Sequence, residues 1–521
     1  LPLAVLTLLT AAAAGLRFYH LDCGLPGTVY VDAFKFVDEA ARMAATGDFA
    51  PRLYQYPGLY TYLLAILDMF TAAGPYARHL LALAVAAVAG VALVPATYFL
   101  ARRMSGAVGG LLAAALVAAC PILVTQSRIP APDILATLFV TVALYHLLGD
   151  PPSRRSLIAA GVAGGLAVGS KFTGGFLMAW FALAGWLLSA KGARLEWLRR
   201  VTTVALVAVP TFLVTTPWLL PRLGTYVSRF RLELVAQRYG QIGRIQLGYL
   251  DYLACRTPNW EQPWLGSSIL DSLGILVTVM GLAALAWGIS GRGGRRIGFV
   301  AGYVIVYVAL ISAPGHMRAV RFLLPVLPAF YASMGWWLDA IVLPRLPRWR
   351  IPIAAAIAVL VVGFPAIRSV RYAAASRQPL TNELAEEWVT RTIPPGTRVF
   401  IGPFFTENLE RLPLEVGHLN DPGLRQYRLP EDIGPNPERD PLYYPAFVDQ
   451  LRAGGARYVI LNSYFDGGLS PVPENRRYFP RSVAAHEAFM KRLSSEARLV
   501  YSVAGWAEGR LGPDIAIYRF D

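Results

Sequence analysis

Residues 57–73 read PGLYTYLLAILDMFTAA, and whether they cross the membrane or lie along it decides the side on which every later loop falls. They are apolar over nearly the length a span needs. They also carry Asp68 and the aromatic, amphipathic Tyr60, Tyr62 and Phe70, which suit a helix lying at the headgroup level. Charge elsewhere in the chain chooses between the two. With 57–73 lying flat, Arg102/Arg103, Arg154/Arg155, Lys191/Arg194/Arg199/Arg200, Arg292/Arg295/Arg296 and Arg345/Arg348/Arg350 all fall on one side. The positive-inside rule makes that side the cytoplasm.

The stretches that then cross lie near 1–17, 80–100, 106–124, 133–149, 155–170, 172–189, 200–220, 266–290, 297–313, 320–343 and 351–369. They amount to about eleven spans of roughly 20 residues each. Composition agrees: of 521 residues, 55% are hydrophobic and only 16% charged, against about a quarter charged in a soluble chain. A cytoplasmic enzyme is excluded. The excess of 48 Lys and Arg over 33 acids, a formal charge of +15, points in a membrane protein to anionic lipid and loop orientation rather than to nucleic acid. The opening LPLAVLTLLTAAAAGL reads as a first span, because a cleaved signal needs a basic n-region that it lacks.

Four segments then face away from the cytoplasm: 18–79, 125–132, 221–265 and everything after about 370. Past Arg371 the sequence becomes that of a water-soluble domain. TNELAEEWVTRTIPPGTRVFIG predicts a helix, a Pro-Pro-Gly turn and a strand, and FVDQLRAGGARYVILNS repeats the pattern, with Gly454-Gly455 ending the helix. DIAIYRF, 514–520, is a last alternating strand. The expected architecture is therefore a polytopic α-helical membrane domain, 1–370, with external loops 18–79 and 221–265, followed by a soluble extracytoplasmic α/β domain, 371–521. That domain holds no glycine-rich phosphate loop, CxxC pair or nucleophile elbow.

Charged groups at membrane depth cost about 2.5–3.5 kcal/mol each on insertion scales, so those that persist are functional candidates. In the first external loop Asp32 precedes a helical stretch whose Phe36, Val37, Ala40 and Met43 share an apolar face, with Lys35, Asp38, Glu39 and Arg42 opposite. Capping of the helix is the alternative role for Asp32. The second external loop, SRIPAPD, puts Arg128 and Asp133 at the re-entry of a span, with N-capping again the alternative for Asp133. Lys171 lies in GLAVGSKFTGG at an external turn, where a snorkelling lysine is the plain reading. PGHMRAVRFLLPVLP brings His316, Arg318 and Arg321 to the same side. The loop 221–265 adds Arg222, Arg229, Arg231, Arg238, Arg244 and Arg256, against the usual orientation bias. An anionic phospholipid-like ligand or a solvated amphipathic helix accounts for them. The external rim thus carries carboxylates and fixed cations, the equipment for an anionic headgroup.

At these residues the chain resembles a bacterial member of the GT-C glycosyltransferase superfamily, in the branch of the protein O-mannosyltransferases and the lipid A aminoarabinose transferase. The likeness runs through an acidic position in the first external loop, TGDFAPRLYQYPGLYTYL, ARRMSGAVGGLLAAALVAACPILVTQSRIPAPD, GLAVGSKFTGG, TTPWLL and RFLLPVLP, in that order over nearly the whole chain. It implies a helical bundle in the bacterial inner membrane, interfacial helices in the first external loop, and a periplasmic C-terminal domain. The implied activity moves a hexosyl or pentosyl group from a polyprenyl-phosphate carrier to a protein, lipid or glycan acceptor outside the cytoplasm, with inversion.

Such transfer needs a base for the acceptor proton and cations for the departing phosphate. By the resemblance Asp32 is the base, and Arg128, Lys171, Arg318 and Arg321 meet the phosphate. Asp133 and His316 complete the substrate-binding set. No cofactor or metal is required, though some relatives use a divalent cation. Where relatives often show Asp-Glu, this chain has Asp32-Ala33, with Asp38-Glu39 further on. Asp38 and Glu39 are therefore alternative carboxylates, and a catalytically silent subunit of a larger assembly is an alternative function. A lipid or sugar transporter is another. The three cysteines are too few for a disulfide scaffold or a Cys-rich metal site. Cys23 and Cys255, on the same oxidising side, are an expected pair for one bridge, and Cys120 packs within a span. The C-terminal domain is expected to bind the acceptor or shield the site.

Overall fold

A computed structural model of the chain describes residues 1–25, 33–71, 74–149, 151–188, 193–239, 246–255, 259, 262–314, 316–402, 412–418, 447–463, 476–477 and 480–521. Its helices are α1 Pro2–Phe18, α2 Ala33–Thr46, α3 Leu59–Thr71, α4 Pro75–Arg102, α5 Ala107–Ala119, α6 Pro121–Gln126, α7 Asp133–Leu147, α8 Arg154–Ser170, α9 Gly175–Leu188, α10 Arg194–Thr215, α11 Leu223–Tyr239, α12 Ile269–Leu273, α13 Ile275–Ile289, α14 Arg295–Ile311, α15 Leu327–Trp337, α16 Arg350–Ala375 and α17 Thr381–Thr392. Each of the eleven apolar stretches is helical. Among the described residues, four helical segments are long and apolar enough to cross a membrane unaided: Pro75–Arg102, Arg194–Thr215, Val320–Arg345 and Pro347–Ala375. The expected eleven crossings count the shorter apolar helices as well.

α3 has 13 residues, about 20 Å of helix at 1.5 Å per residue, short of the ~30 Å hydrocarbon layer. Its buried Asp68 pairs with Arg78 Nε at 2.8 Å, fixing the end of α3 to the first turn of α4. Two expected spans are broken instead of continuous. Gly274, at φ 85°, separates α12 from α13. Pro121 separates α5 from α6, because proline lacks an N–H and its ring crowds the carbonyl four residues back.

That second break exposes the last carbonyls of α5 inside the bundle, where each must find a donor. Arg17, on the last turn of α1 and fully buried, donates Nη2 to Val117 O at 3.1 Å and Nη1 to Ala118 O at 3.2 Å. Ser369 Oγ of α16 donates to Ala119 O at 2.7 Å. Arg17 Nε also reaches Ser127 Oγ at 3.2 Å. Gly90 of α4 leaves the room: a Cβ there would lie 2.0 Å from Ser127 Oγ and 2.9 Å from Arg17 Nε.

The other end of α5 is equally determined. A Cβ on Gly109 would meet Gly335 O at 2.3 Å, and one on Gly335 would meet Gly109 O at 2.1 Å, so α5 and α15 cross backbone to backbone. Asp339, in the π-helical turn Leu338–Val342, accepts from Gly109 N at 3.4 Å and pairs with Arg350 at 2.7 Å. A carboxylate at the start of α5 suits that helix's dipole.

The C-terminal domain carries five strands, β1 Arg398–Ile401, β2 Glu415–His418, β3 Tyr458–Asn462, β4 Ala497–Val503 and β5 Ile515–Phe520, in the order β2-β1-β3-β5-β4. β2, β1 and β3 are parallel, and β5 and β4 run antiparallel. The strand alternation serves two faces. Val459 and Leu461 pack with Phe489 and Leu493 of helix Pro480–Glu496, while Tyr458 and Ile460 pack with Ala385 and Val389 of α17. Leu380 and Leu511 join the core of the membrane bundle.

Two outcomes are expected. Arg17→Met strips two buried carbonyls of their donor, at about 1–3 kcal/mol each, and lowers the melting temperature of the detergent-solubilised chain by several degrees. An unchanged melt overturns the capping role. His486, buried on helix Pro480–Glu496, has its imidazole driven by burial from 6.5 to about 4, with Glu487 opposing weakly. The unfolded chain binds this proton first, so stability is lost as pH falls from about 6.5 to about 4, by roughly 3 kcal/mol if the group acts alone. Melts at pH 7 and pH 5 read the loss, and His486→Phe is expected to narrow the difference. A difference left unchanged assigns it to other groups.

Candidate active site

α7 begins at Asp133 itself, after Pro132, and no side chain caps it. The carboxylate instead meets the Lys171 ammonium, Oδ1 to Nζ at 2.5 Å, with both side chains largely buried. This replaces both plain readings of those residues, since Asp133 does not cap and Lys171 does not snorkel. Gly169, at the end of α8, admits Thr215 so closely that a Cβ would lie 2.1 Å from its Oγ1. Lys171 is thereby held at the tight turn between α8 and α9.

Around this pair stand several aromatic groups whose placement here sequence reasoning missed. The Lys171 ammonium is 5.5 Å from the Phe322 ring centroid, and the Arg321 guanidinium is 5.9 Å from the same ring. Tyr307 of α14 donates its hydroxyl to Phe322 O at 2.9 Å. Tyr60 of α3 donates to Ala82 O at 3.1 Å and packs edge-on against Phe36, centroids 5.7 Å apart. Tyr60 and Tyr307 both lie within electrostatic reach of Asp133. Phe36 sits in the first turn of α2, so that turn is packed onto the region of the Asp133–Lys171 pair. The sequence marked Tyr60 as an interfacial aromatic and Phe36 as part of an apolar helix face, and no local signal placed either beside the Asp133–Lys171 pair.

Arg318 is buried beside Asp251, Nη1 to Oδ2 at 3.8 Å, and donates to Cys255 Sγ. Asp251 is itself anchored by Leu247 N at 2.6 Å and Gly248 N at 3.1 Å. Tyr252 Oη accepts from Ala319 N at 3.3 Å. His316 serves its turn: Nδ1 lies 2.9 Å from Ala313 O, and its carbonyl accepts from Gln246 N at 2.9 Å. Arg128 stands to one side. Its Nη2 donates to His20 O at 2.7 Å, its guanidinium lies 5.1 Å from the Tyr372 ring centroid, and its buried Nη1 has no hydrogen-bond partner among the described residues.

Asp32 lies outside the described residues, as do Arg244 and Arg256. The two alternative carboxylates differ in commitment. Glu39 is buried, takes Arg42 through both oxygens at 2.9 and 3.1 Å, and accepts from Arg52 N at 2.8 Å. It clasps the first external loop. Asp38 is exposed, and partial desolvation raises its carboxyl above the ordinary value, with His79 pulling it back.

The expected Cys23–Cys255 bridge is not formed; both thiols are free. Each has a different neighbour, Arg318 for Cys255 and the Arg128 side for Cys23, whose thiol is pushed by burial up to about 11 against the pull of Arg128. Among the described residues no three His, Cys, Asp or Glu side chains gather to hold a metal ion.

A bundle of apolar helices with charged residues at helix ends, followed by a small α/β domain, is the architecture of a polytopic membrane protein, and its fold is similar to solved structures of the GT-C fold. A family model described as dolichyl-phosphate-mannose-protein mannosyltransferase matches residues 59–220. The structure is similar to ArnT from Cupriavidus metallidurans bound to undecaprenyl phosphate, with 14% identity, TM-score 0.54, and coverage of 98% of this chain and 97% of that one. It is also similar to the archaeal oligosaccharyltransferase AglB from Archaeoglobus fulgidus in complex with an inhibitory peptide and a dolichol-phosphate, with 13% identity, TM-score 0.54, and coverage of 88% and 69%. The Archaeoglobus fulgidus oligosaccharyltransferase in complex with Zn and sulfate gives 13% identity, TM-score 0.55, and coverage of 98% and 72%. No curated protein matches by sequence.

The Asp133–Lys171 pair is testable by a double-mutant cycle. Asp133→Asn or Lys171→Met alone is expected to cost about 3–5 kcal/mol, because each strands a buried partner. The double variant is expected to recover more than about 1 kcal/mol of the summed loss. Additive losses in thermal melts overturn the pairing.

Proposed function

We propose that the protein is an inverting glycosyltransferase that moves a sugar from a polyprenyl-phosphate carrier to an acceptor on the extracytoplasmic side of a bacterial inner membrane. The observation that carries this reading is the Lys171 ammonium fixed by Asp133 at the head of α7, with the Arg321 guanidinium against the same Phe322 ring. Lysine has three donors and Asp133 takes one, leaving the others for phosphate oxygens. The buried, unpartnered Nη1 of Arg128 supplies a further donor, of the kind that in a folded protein calls for a ligand. The fold similarity to a structure with bound undecaprenyl phosphate supports the same donor class.

In this reaction the acceptor oxygen attacks the anomeric carbon as the bond from that carbon to the phosphate oxygen breaks. The acceptor proton passes to a carboxylate, and the carrier leaves as polyprenyl phosphate. Fixed cations stabilise the charge that develops on the leaving phosphate, and they need no reorganisation at that moment. Asp32 is the proposed base by its place in the loop motif. Asp38 is the second choice, because Glu39 is engaged with Arg42 and the Arg52 amide. Ala33 in place of an acid favours one other reading, a silent subunit of a larger assembly.

Release of polyprenyl phosphate from a panel of polyprenyl-phosphate sugars, in detergent and with candidate acceptors, separates these readings. Asp32→Asn is expected to reduce release by about 10²–10⁴-fold, the usual worth of a general base. Undiminished release moves the base to Asp38. No release by wild-type protein that binds the donors gives the subunit reading its place.

A further inference from the structure

Among the described residues three arginines are buried, Arg17, Arg128 and Arg318. Two of them are well supplied with partners. Arg17 donates to Ala13 O, Val117 O, Ala118 O and Ser127 Oγ, and Arg318 has Asp251 and Cys255. Arg128, 8% exposed, lacks both a full set of acceptors and a counter-charge. Its Nη2 goes to His20 O, its Nη1 is idle, and no carboxylate pairs with it among the described residues. Asp22 and Glu383, the acids that act on the neighbouring Cys23, accept instead from the Tyr76 hydroxyl and the Leu380 amide. A buried guanidinium left without a counter-charge is costly.

Two more buried donors stand around the same tyrosine as Arg128. Arg128 N donates to Thr125 O at 2.9 Å, which puts the two residues on one turn. Thr125 Oγ1 lies by the Tyr372 hydroxyl but completes no hydrogen bond. Trp264, 3% exposed, stacks on the Tyr372 ring with centroids 5.7 Å apart, and its indole Nε1 has no acceptor among the described residues. The Arg128 guanidinium is 5.1 Å from the centroid of that ring. The loop that carries Trp264 is fastened to α6 next to Thr125, where Gln126 Nε2 donates to Gln262 Oε1 at 3.1 Å. Guanidinium and indole N–H groups can only donate, so the group that completes this set is an acceptor. The uncompensated charge of Arg128 makes it an anion. Trp506 of the C-terminal domain meets Trp264, and the exposed Arg371 guanidinium over Trp506 adds positive charge beside the cluster.

We propose that Arg128, Trp264 and Thr125 form an oxyanion-binding site at the junction of the bundle and the C-terminal domain, which takes a phosphate or carboxylate group separate from the carrier phosphate at Lys171. The guanidinium supplies the charge and a free N–H, the indole a second N–H, and the threonine hydroxyl a third donor. Phosphate and carboxylate share the chemistry that such a set recognises, a compact negative charge with more than one acceptor oxygen. Arg128 then serves a second anion beside the leaving phosphate, and Trp264 links that anion to Trp506 of the C-terminal domain. The inference concerns binding alone and does not depend on transfer activity.

The test follows alkylation of each cysteine by N-ethylmaleimide, resolved by mass spectrometry, in the full chain in phosphatidylcholine nanodiscs. Burial raises the Cys23 thiol and Arg128 pulls it back, so an anion on Arg128 weakens that pull and slows the reaction, because the thiolate is the reacting form. Inorganic phosphate or acetate, at constant ionic strength, is expected to slow Cys23 severalfold and saturably. Trp264→Phe, which keeps a ring on Tyr372 and removes the indole N–H, is expected to raise the half-saturating concentration about tenfold, the worth of one hydrogen bond to a charged group. Arg128→Gln is expected to abolish the response. No slowing in the wild-type chain overturns the site, and so does the same half-saturating concentration in wild type and Trp264→Phe. Polyprenyl phosphate in the bilayer is expected to leave Cys23 unchanged, and slowing of Cys23 by it makes this the carrier's site and overturns the proposal. Cys255, beside Arg318, reports on the carrier phosphate in the same experiment, so a Cys255 that polyprenyl phosphate does not slow counts against the transfer reading and not against this site.

Discussion

The constraint on which the arrangement rests is the need to pair the carbonyls that Pro121 orphans at the end of α5. In water they would be hydrated. Inside a helical bundle they need donors from neighbouring helices, and Arg17 of α1 and Ser369 of α16 supply them. One buried guanidinium thus joins the first helix to the middle of the bundle, and one hydroxyl joins the last. Because Arg17 also reaches Ser127, the same junction fixes the start of the loop that carries Arg128 and delivers Asp133 to its helix. Gly90 belongs to the arrangement, since any side chain there would occupy the space of Arg17 and Ser127.

Downstream of that junction the charged residues divide into those that hold structure and those with bonding capacity left. Glu39, Asp68 and Asp251 are tied to backbone amides, arginines or both and set the loops and helix ends around the candidate site, while Asp339 holds the start of α5 at the opposite end of the bundle. Lys171 keeps donors beyond the one given to Asp133, and Arg128 keeps a buried donor without a partner. The distinction is physical: a buried charge whose bonds are complete is structural, and one with capacity in reserve still has a donor for a water, an ion or a ligand.

The C-terminal domain is joined to the bundle by aromatic contacts. Trp264 stacks on Tyr372 of α16 with centroids 5.7 Å apart and meets Trp506 of the C-terminal domain at 6.0 Å. Arg371 lies over Trp506 at 5.7 Å, and Arg128 lies over Tyr372. The loop before α12, the end of α16 and the C-terminal domain therefore meet at the residue whose guanidinium is incompletely bonded. The helix α16 also runs to Ala375, past the expected limit of the last span, so the domain is set on the end of a continuous helix.

Much of the fold was legible because the signals are local. Apolar runs marked the helices, Gly454-Gly455 marked the end of Phe447–Ala453, a short apolar run marked β3, and alternation marked β5. The short strand β2 and the edge strand β4, whose register shifts between Leu499 and Tyr501, lack that alternation and were not foreseen. Of the site, the cations and carboxylates at span ends were legible by their cost in the membrane, but their partners were not. Arg17 at the end of an apolar run looks like a flanking residue, and Asp251 in GYLDYL carries no motif. The sequence by itself determined which segments are helical and which charges stand at the ends of apolar segments, because hydrophobicity and the penalty on buried charge act residue by residue. Only the tertiary structure decided that Asp133 meets Lys171, 38 positions on, that Glu39 is a clasp, and that Cys255 faces Arg318 rather than Cys23. Those pairings depend on where helices cross, which close backbone contacts and the satisfaction of buried carbonyls set across the whole chain.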